Sequence, residues 1–193
     1  ALPKDTPALY SLMNYADIKL GTWYPKKGMY AVVEGMHKLA EELGVKFVFD
    51  CNVTAINVDQ ARANKVVAEG NRSFDADVVI GGADYHFVES KLLPENYRRY
   101  SDTYWEKRLM APSCLLYYIG LNKKTEGVLH HSLFFDADFD VHGKEIYTTR
   151  QWPTDPLFYL SVSSVTDETV APAGCDNMVF LIPVAAGLEA DTE

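Results

Sequence analysis

The sequence predicts an α+β chain, with a mixed α/β first part over residues 1–92 and a mostly antiparallel-sheet part with helices over residues 93–193. Three observations predict this. An apolar stripe at helical spacing runs through residues 29–43. Short β-branched runs broken by turn residues fill residues 45–80. From Pro112 onward, aromatic-rich runs recur between turns of Gly, Pro and Asp, the pattern of antiparallel strands.

Taken in chain order, Met29, Val32, Val33, Met36, Leu39, Ala40 and Leu43 share one helical face, while Glu34, Lys38, Glu41 and Glu42 fall on others. That spacing predicts an amphipathic helix with one buried stripe. Gly44 stops it, because glycine takes the left-handed C′ position without a Cβ penalty. VKFVF, Val45 to Phe49, and VTAINV, from Val53, read as strands. Residues 60–64 turn the chain, Lys65 to Glu69 return, and Gly70-Asn71 turn it again before a short segment around Phe74. Asp77 to Ile80, ended by Gly81-Gly82, has the pattern of a strand buried on both faces. Residues 85–110 read as helical, with a break at Leu92-Leu93-Pro94 and apolar faces supplied by Tyr97, Tyr100, Tyr104 and Trp105. Further strands are expected at Leu115–Leu121, Ser132–Phe135, Leu157–Val162 and Met178–Val184.

At 193 residues, 48% hydrophobic and 23% charged, the chain has enough apolar residues for a sizeable core. Its net charge of -9, with the acids spread out, argues against a polyanionic partner such as nucleic acid, which needs clustered Lys and Arg. Cys51, Cys114 and Cys175 lie far apart without a CxxC pair, so they are expected to be reduced, buried and intracellular. No apolar run approaches the roughly 18 residues of a membrane span. The opening ALPKDTPALY lacks the charged start and apolar stretch of a secretory leader. A start without Met and an end on LEADTE lead us to expect a piece of a longer protein.

GTWYPKKGMYAVVEGM, residues 21–36, is a Gly- and Lys-bearing turn running into a helix, which raises the question of a phosphate site; its glycines lack the spacing of one. His130-His131 suggests a metal, but strand neighbours point to opposite faces, so two structural or pocket-lining histidines are expected. Asp136, Asp138 and Asp140 lack the Gly and the terminal Glu of a calcium loop and read as an acidic surface loop. GxSxG, P-loop and HExxH motifs are absent. VVIGGAD, Val78 to Asp84, has the shape of a strand entering a Gly-rich turn beside a cofactor; a tight strand-to-helix turn explains its glycines equally well. The strand aromatics after Pro112 fit either a pocket for a large apolar ligand or ordinary sheet packing.

Seven stretches, in order, together resemble the phytoene desaturase family, the bacterial-type carotenoid dehydrogenases that use FAD. They are YPKKGMYAVVEGMHKLAEELGVKF (24–47), NVTAI (52–56), DADVVIGGADYHFVESKLLP (75–94), APSCLLYYIGLNKK (111–124), LHHSLFF (129–135), DPLFYLSVSSVTDETVAPAG (155–174) and NMVFLIPV (177–184). The resemblance implies the interior of such an enzyme: residues 1–92 as part of an FAD-binding fold and 93–193 as a segment of the substrate domain. It implies that Val53 presents its backbone to the adenine end of FAD, and that the turn bearing Lys27 and Gly28 lies near the flavin ring and the substrate tunnel. Relatives commonly have Lys-Gly-Gly where this chain has Lys26-Lys27-Gly28. The implied chemistry is hydride transfer from a long polyisoprenoid to the flavin, the protein supplying a dry tunnel. Candidate lining residues are Tyr117, His130, His131, Phe135 and Tyr159. No catalytic residue is carried over and no metal is expected, and the chain alone is expected to bind no cofactor and to be inactive. Alternatives are an amine-oxidising or retinol saturase-type relative, or a lipid-binding module without redox chemistry. The intact enzyme is expected in the cytoplasm, attached peripherally to a membrane by apolar contacts.

Overall fold

The computed structural model describes residues 3–188, so residues 1 and 2 and most of LEADTE lie outside the described residues. It divides into two compact units, one of residues 44–109 and one that joins residues up to 43 with those from 110 onward.

In the unit of residues 44–109, three strands form an antiparallel sheet in the order β1, Val53–Asp59, β2, Arg62–Ala68, and β3, Arg72–Asp75. Gln60 and Ala61 join β1 to β2 and Gly70-Asn71 join β2 to β3, and all four have positive φ, the backbone that tight hairpins require. The register slips between Val53 and Ala55 and again between Asn57 and Val58. Ile56 and Ala68 are buried on this sheet, and a π-helical turn, Val88–Leu92, packs against β1 and buries Leu92. Glu89 on that turn is buried too. Its Oε1 accepts the backbone N–H groups of Arg99 and of Tyr100, tying the turn to the segment after Pro94.

Two expected strands of this unit do not form: residues 45–49 and 77–80 are irregular, with Phe49, Val78 and Ile80 well exposed. β propensity describes how a residue fits a pleated, half-covered surface, so it makes no strand where no ladder is offered. The expected helix over 85–110 is broken into α3, Tyr85–Phe87, the π-helical turn, a 3-10 turn at Glu95–Tyr97, and α4, Asp102–Glu106. Pro94 and the capping side chains of Asp84 and Ser101 set those breaks. Gly81 serves close approach: a Cβ there would meet Val88 Cγ1 at 3.3 Å.

In the other unit, β4, Ser113–Leu121, β5, His131–Phe134, β6, Phe158–Ser161, and β7, Asp176–Val184, form an antiparallel sheet in the order β4-β7-β6-β5. All the strand expectations after Pro112 hold to within a few residues. One face carries Leu160, Val162 and Met178, the buried core, with Leu121, Val128 and Phe180 packed against it. The other face meets α5, Phe139–Lys144, and the π-helical turn Glu145–Thr149, and carries the cavity described below. Asp176 at the start of β7 is buried and accepts from Lys124 Nζ at 2.9 Å, Thr125 N–H at 2.6 Å and Ser164 Oγ at 2.7 Å. These bonds hold its carboxyl down from 3.8 to about 2, Ser164 contributing most.

The amphipathic helix forms as α2, Tyr30–Glu42, and Gly44 follows it at φ 87°. Its stripe is not buried, contrary to expectation: Val32, Val33, Met36 and Leu39 are all exposed. A 3.6-residue period names the face to be covered, not what covers it. The cysteines are free but not buried as expected; Cys114 is exposed because β4 is an edge strand, and Cys51 and Cys175 are half-buried. Asp138 caps α5 by accepting from Asp140 N–H and Val141 N–H, while Asp140 meets Lys4 Nζ at 3.1 Å, so the acidic loop serves as helix cap and surface.

Candidate functional site

Three strands align Leu133, Tyr159 and Leu181 side by side on one face of the four-stranded sheet. Directly opposed residues of antiparallel strands share a face, so these side chains make one apolar floor. The floor, α5 with its following turn, and the N-terminal helical turns around Tyr10 and Met13, α1 (Ser11–Tyr15) among them, border an open-sided cavity of about 700 Å³. Phe135, Phe139 and Ile146 complete its apolar lining. Its size and lining suit one sizeable apolar ligand. His142 on its wall is a strut: Nδ1 accepts from Leu157 N–H at 3.1 Å, which leaves the Nε2 proton to donate to the Pro183 carbonyl at 3.0 Å.

Behind Tyr159 runs a polar row. The Tyr159 hydroxyl lies 2.5 Å from His131 Nδ1, and the two rings stack with centroids 5.9 Å apart. His131 and His130 stack at 4.2 Å and 24°, His130 Nδ1 meets Thr166 Oγ1 at 2.6 Å, and Tyr24 packs edge-on to His130 at 4.5 Å. The expected divergence of the two histidines does not occur, because His130 sits on a bend just before β5 and strand alternation has not begun. Burial pushes the His130 imidazole below its usual 6.5, and the neighbouring His131 pushes the same way against the pull of Asp167.

Tyr24 leads into the Lys-Lys-Gly turn. Gly28 N–H closes it on the Pro25 carbonyl at 3.2 Å, with Lys27 at φ 74° and Gly28 at φ 93°. Lys27 thus occupies the left-handed position that such turns give to glycine. Lys27 N–H donates to the buried carboxylate of Asp167 at 2.6 Å. Asp167 also accepts from Thr169 N–H at 3.0 Å and Thr169 Oγ1 at 2.7 Å, and these bonds, Thr169 first, lower its carboxyl below 3.8.

Of the residues singled out from the sequence, Lys27, Gly28, His130, His131, Tyr159 and Phe135 fall along this row and cavity. Tyr117 does not join them; it opposes Phe180 in β4 and β7, which puts it on the other sheet face, where Phe134, Phe158 and Phe180 stack in turn. Val53 belongs to the other unit, paired with Ala68 in the ladder. Asp167, Thr166 and Asp176 escape a reading of the sequence, since nothing local distinguishes a carboxylate that binds a turn far away in the chain. Among the described residues no three metal-ligating side chains converge. At the turn assigned by resemblance to a flavin, the amides of Lys27 and Gly28 are both engaged within the chain, on Asp167 and on the Pro25 carbonyl.

Comparison with known proteins gives consistent matches. The family model described as flavin containing amine oxidoreductase matches residues 2–116. A carotenoid 3,4-desaturase of Haloarcula japonica is 40% identical over 186 residues, which cover 96% of this chain and 37% of that protein. A zeta-carotene-forming phytoene desaturase of Myxococcus xanthus is 32% identical over 182 residues, 94% of this chain and 35% of that protein. A phytoene desaturase of Fusarium fujikuroi is 32% identical over 184 residues, 94% of this chain and 32% of that protein. The chain spans about a third of the length of these curated relatives.

Proposed function

Since this chain belongs to the flavin containing amine oxidoreductase family, we propose that it is a portion of an FAD-dependent desaturase acting on a long apolar polyisoprenoid. The observation that carries this reading is the largely apolar cavity floored by Leu133, Tyr159 and Leu181, which suits a hydrocarbon. The names of the desaturase relatives support the same class of substrate. When bound, the flavin of the whole enzyme supplies the electron sink. This chain holds the substrate against an apolar floor and aligns it along the sheet.

Under this reading residues 1–92 serve chiefly the cofactor and 93–193 the substrate, with the N-terminal turns around Tyr10 and Met13 also bordering the substrate cavity, a division by role that differs from the two compact units. Val53, Lys27 and Gly28 contact the FAD of the whole enzyme, the last two through surfaces other than their engaged amides. Phe135 and Tyr159 contact substrate, with His130 and His131 behind them. Alone, the chain is expected to purify without stoichiometric flavin, and a flavin spectrum from it would count against this assignment. Nucleic acid is not an expected partner of a chain with net charge -9.

Among the described residues no helix is long and apolar enough to cross a membrane. We assign the whole enzyme to the cytoplasmic membrane surface, held by apolar contacts, so flotation with liposomes should survive added salt. The decisive experiment expresses the whole gene in a host that accumulates phytoene. New conjugated double bonds in the extracted carotenoids support the reading, whereas peroxide release from amines with the carotenoids unchanged overturns it.

A further inference from the structure

The cavity wall holds a hydrogen-bonded polar pair placed to receive a proton. Tyr159 lies on the cavity floor between Leu133 and Leu181, and His131 stands directly behind its hydroxyl at 2.5 Å. Four other polar groups on the wall are differently placed. His142 spends both ring nitrogens on backbone partners, the Ser11 hydroxyl is bonded to the Ala8 carbonyl at 2.6 Å, and Asn14 and Asp17 are exposed to solvent.

Two imidazoles stacked at 4.2 Å do not readily carry two charges. The groups facing them are Tyr159 from β6, Tyr24 from the turn before α2, and Asp167 beside Thr166. Burial disfavours the cation on His130 more than Asp167 favours it. His131 is the ring of the pair that is bonded to the cavity-lining tyrosine. We propose that Tyr159 and His131 form a proton-accepting dyad on the cavity wall, with His130 the ring that stacks on His131 and holds its orientation.

The transfer balances without electrons changing hands. A proton reaching Tyr159 Oη forms an O–H bond as the original O–H proton passes to His131 Nδ1; one O–H bond forms, one breaks and one N–H bond forms. The proton's source is the point at which this inference rests on the desaturase reading. In a desaturation, one substrate C–H bond gives up its hydrogen with the electron pair, reducing a flavin-class acceptor. The adjacent C–H bond leaves its pair as the new π bond and releases the proton.

The test has two readouts. Imidazole nitrogen NMR of this chain is expected to show His131 as the Nε2–H tautomer with a hydrogen-bonded Nδ1. Tyr159→Phe should move that Nδ1 resonance toward a free pyridine-type nitrogen and leave His130 in place. An Nδ1–H tautomer at His131 indifferent to Tyr159→Phe, or first protonation at His130, overturns the dyad. In the whole enzyme, Tyr159→Phe and His131→Gln should each lower kcat by about 10²-fold or more with little change in KM, and flatten the acid limb of the kcat profile. Unchanged kcat in both overturns the proton-accepting role in catalysis. Absence of desaturation in the wild-type whole protein, with the NMR signature intact, overturns the desaturase reading and upholds the dyad.

Discussion

Lys27 donates its backbone N–H to the carboxylate of Asp167 at 2.6 Å, across 140 residues of sequence. This one bond fixes the Lys-Lys-Gly turn to the segment whose preceding residue, Thr166, holds His130. The turn and the polar row behind the cavity therefore share an anchor. Asp167→Ala should loosen the turn, and amide exchange at Lys27 is expected to quicken by roughly 10-fold or more, the cost of a lost bond to a charged acceptor. An unchanged exchange rate would show that the turn holds itself.

Lys27 itself is held at φ 74°, a conformation that costs a residue with a Cβ about 1–2 kcal/mol. Lys27→Gly keeps the N–H and removes the strain, while adding freedom to the unfolded chain. The expected net gain is about 0.5–1 kcal/mol, a rise in Tm of roughly 1–4 °C by calorimetry.

Asp176 sets an acid limit on stability. Its carboxyl titrates near 2 in the folded chain against 3.8 ordinarily, so the unfolded chain takes up the proton first as pH falls. The stabilisation is therefore complete above 3.8 and is lost as pH falls from there through about 2. Urea midpoints followed from neutral into acid should fall over that window, and Asp176→Asn should lower the neutral midpoint and flatten the window.

The core face of the four-stranded sheet gives a scale for these effects. Leu160 is buried among Val162 and Met178, so Leu160→Ala should cost about 2–5 kcal/mol. Tyr118 is 76% exposed on edge strand β4, and Tyr118→Ala should stay within about 0.5 kcal/mol by the same denaturation measurement.

The cavity can be tested separately from the chemistry. Leu133 is exposed yet lines it, so Leu133→Glu should leave far-UV circular dichroism unchanged. It should weaken binding of a long-chain fluorescent hydrocarbon by roughly 10-fold or more, because a carboxylate on an apolar wall loses its hydration. Equal affinity would remove the cavity from consideration as the substrate site.

What the sequence discloses follows the range of the forces involved. Local patterns name α2, the hairpin turn at Gly70-Asn71 and the strands after Pro112, because spacing and turn residues act within a few positions. The runs 45–49 and 77–80 carry the residues of strands but not the ladder, and a ladder is a property of what lies alongside. The face of α2 is legible and its cover is not. Phe135 and Tyr159 were visible as strand aromatics, and alternation correctly left open which faced a pocket, whereas the stacking of His130 on His131 depends on one bend just before β5. Asp167 and Asp176 look like any surface acid until the chain returns to them.

The strand order β4-β7-β6-β5 also bears on how the chain is made. Of the four strands of this sheet β7 is the last to be synthesised, and it is the strand that joins β4 to β6. Until residue 184 has been synthesised, β4 lacks its neighbour among the described strands, and the cavity floor lacks Leu181. Assembly of this sheet is therefore a late, long-range event that contributes to slow folding. During that wait the nascent chain displays Leu116, Tyr117, Tyr118 and Ile119 as a bare apolar strand, the segment a chaperone would be expected to hold.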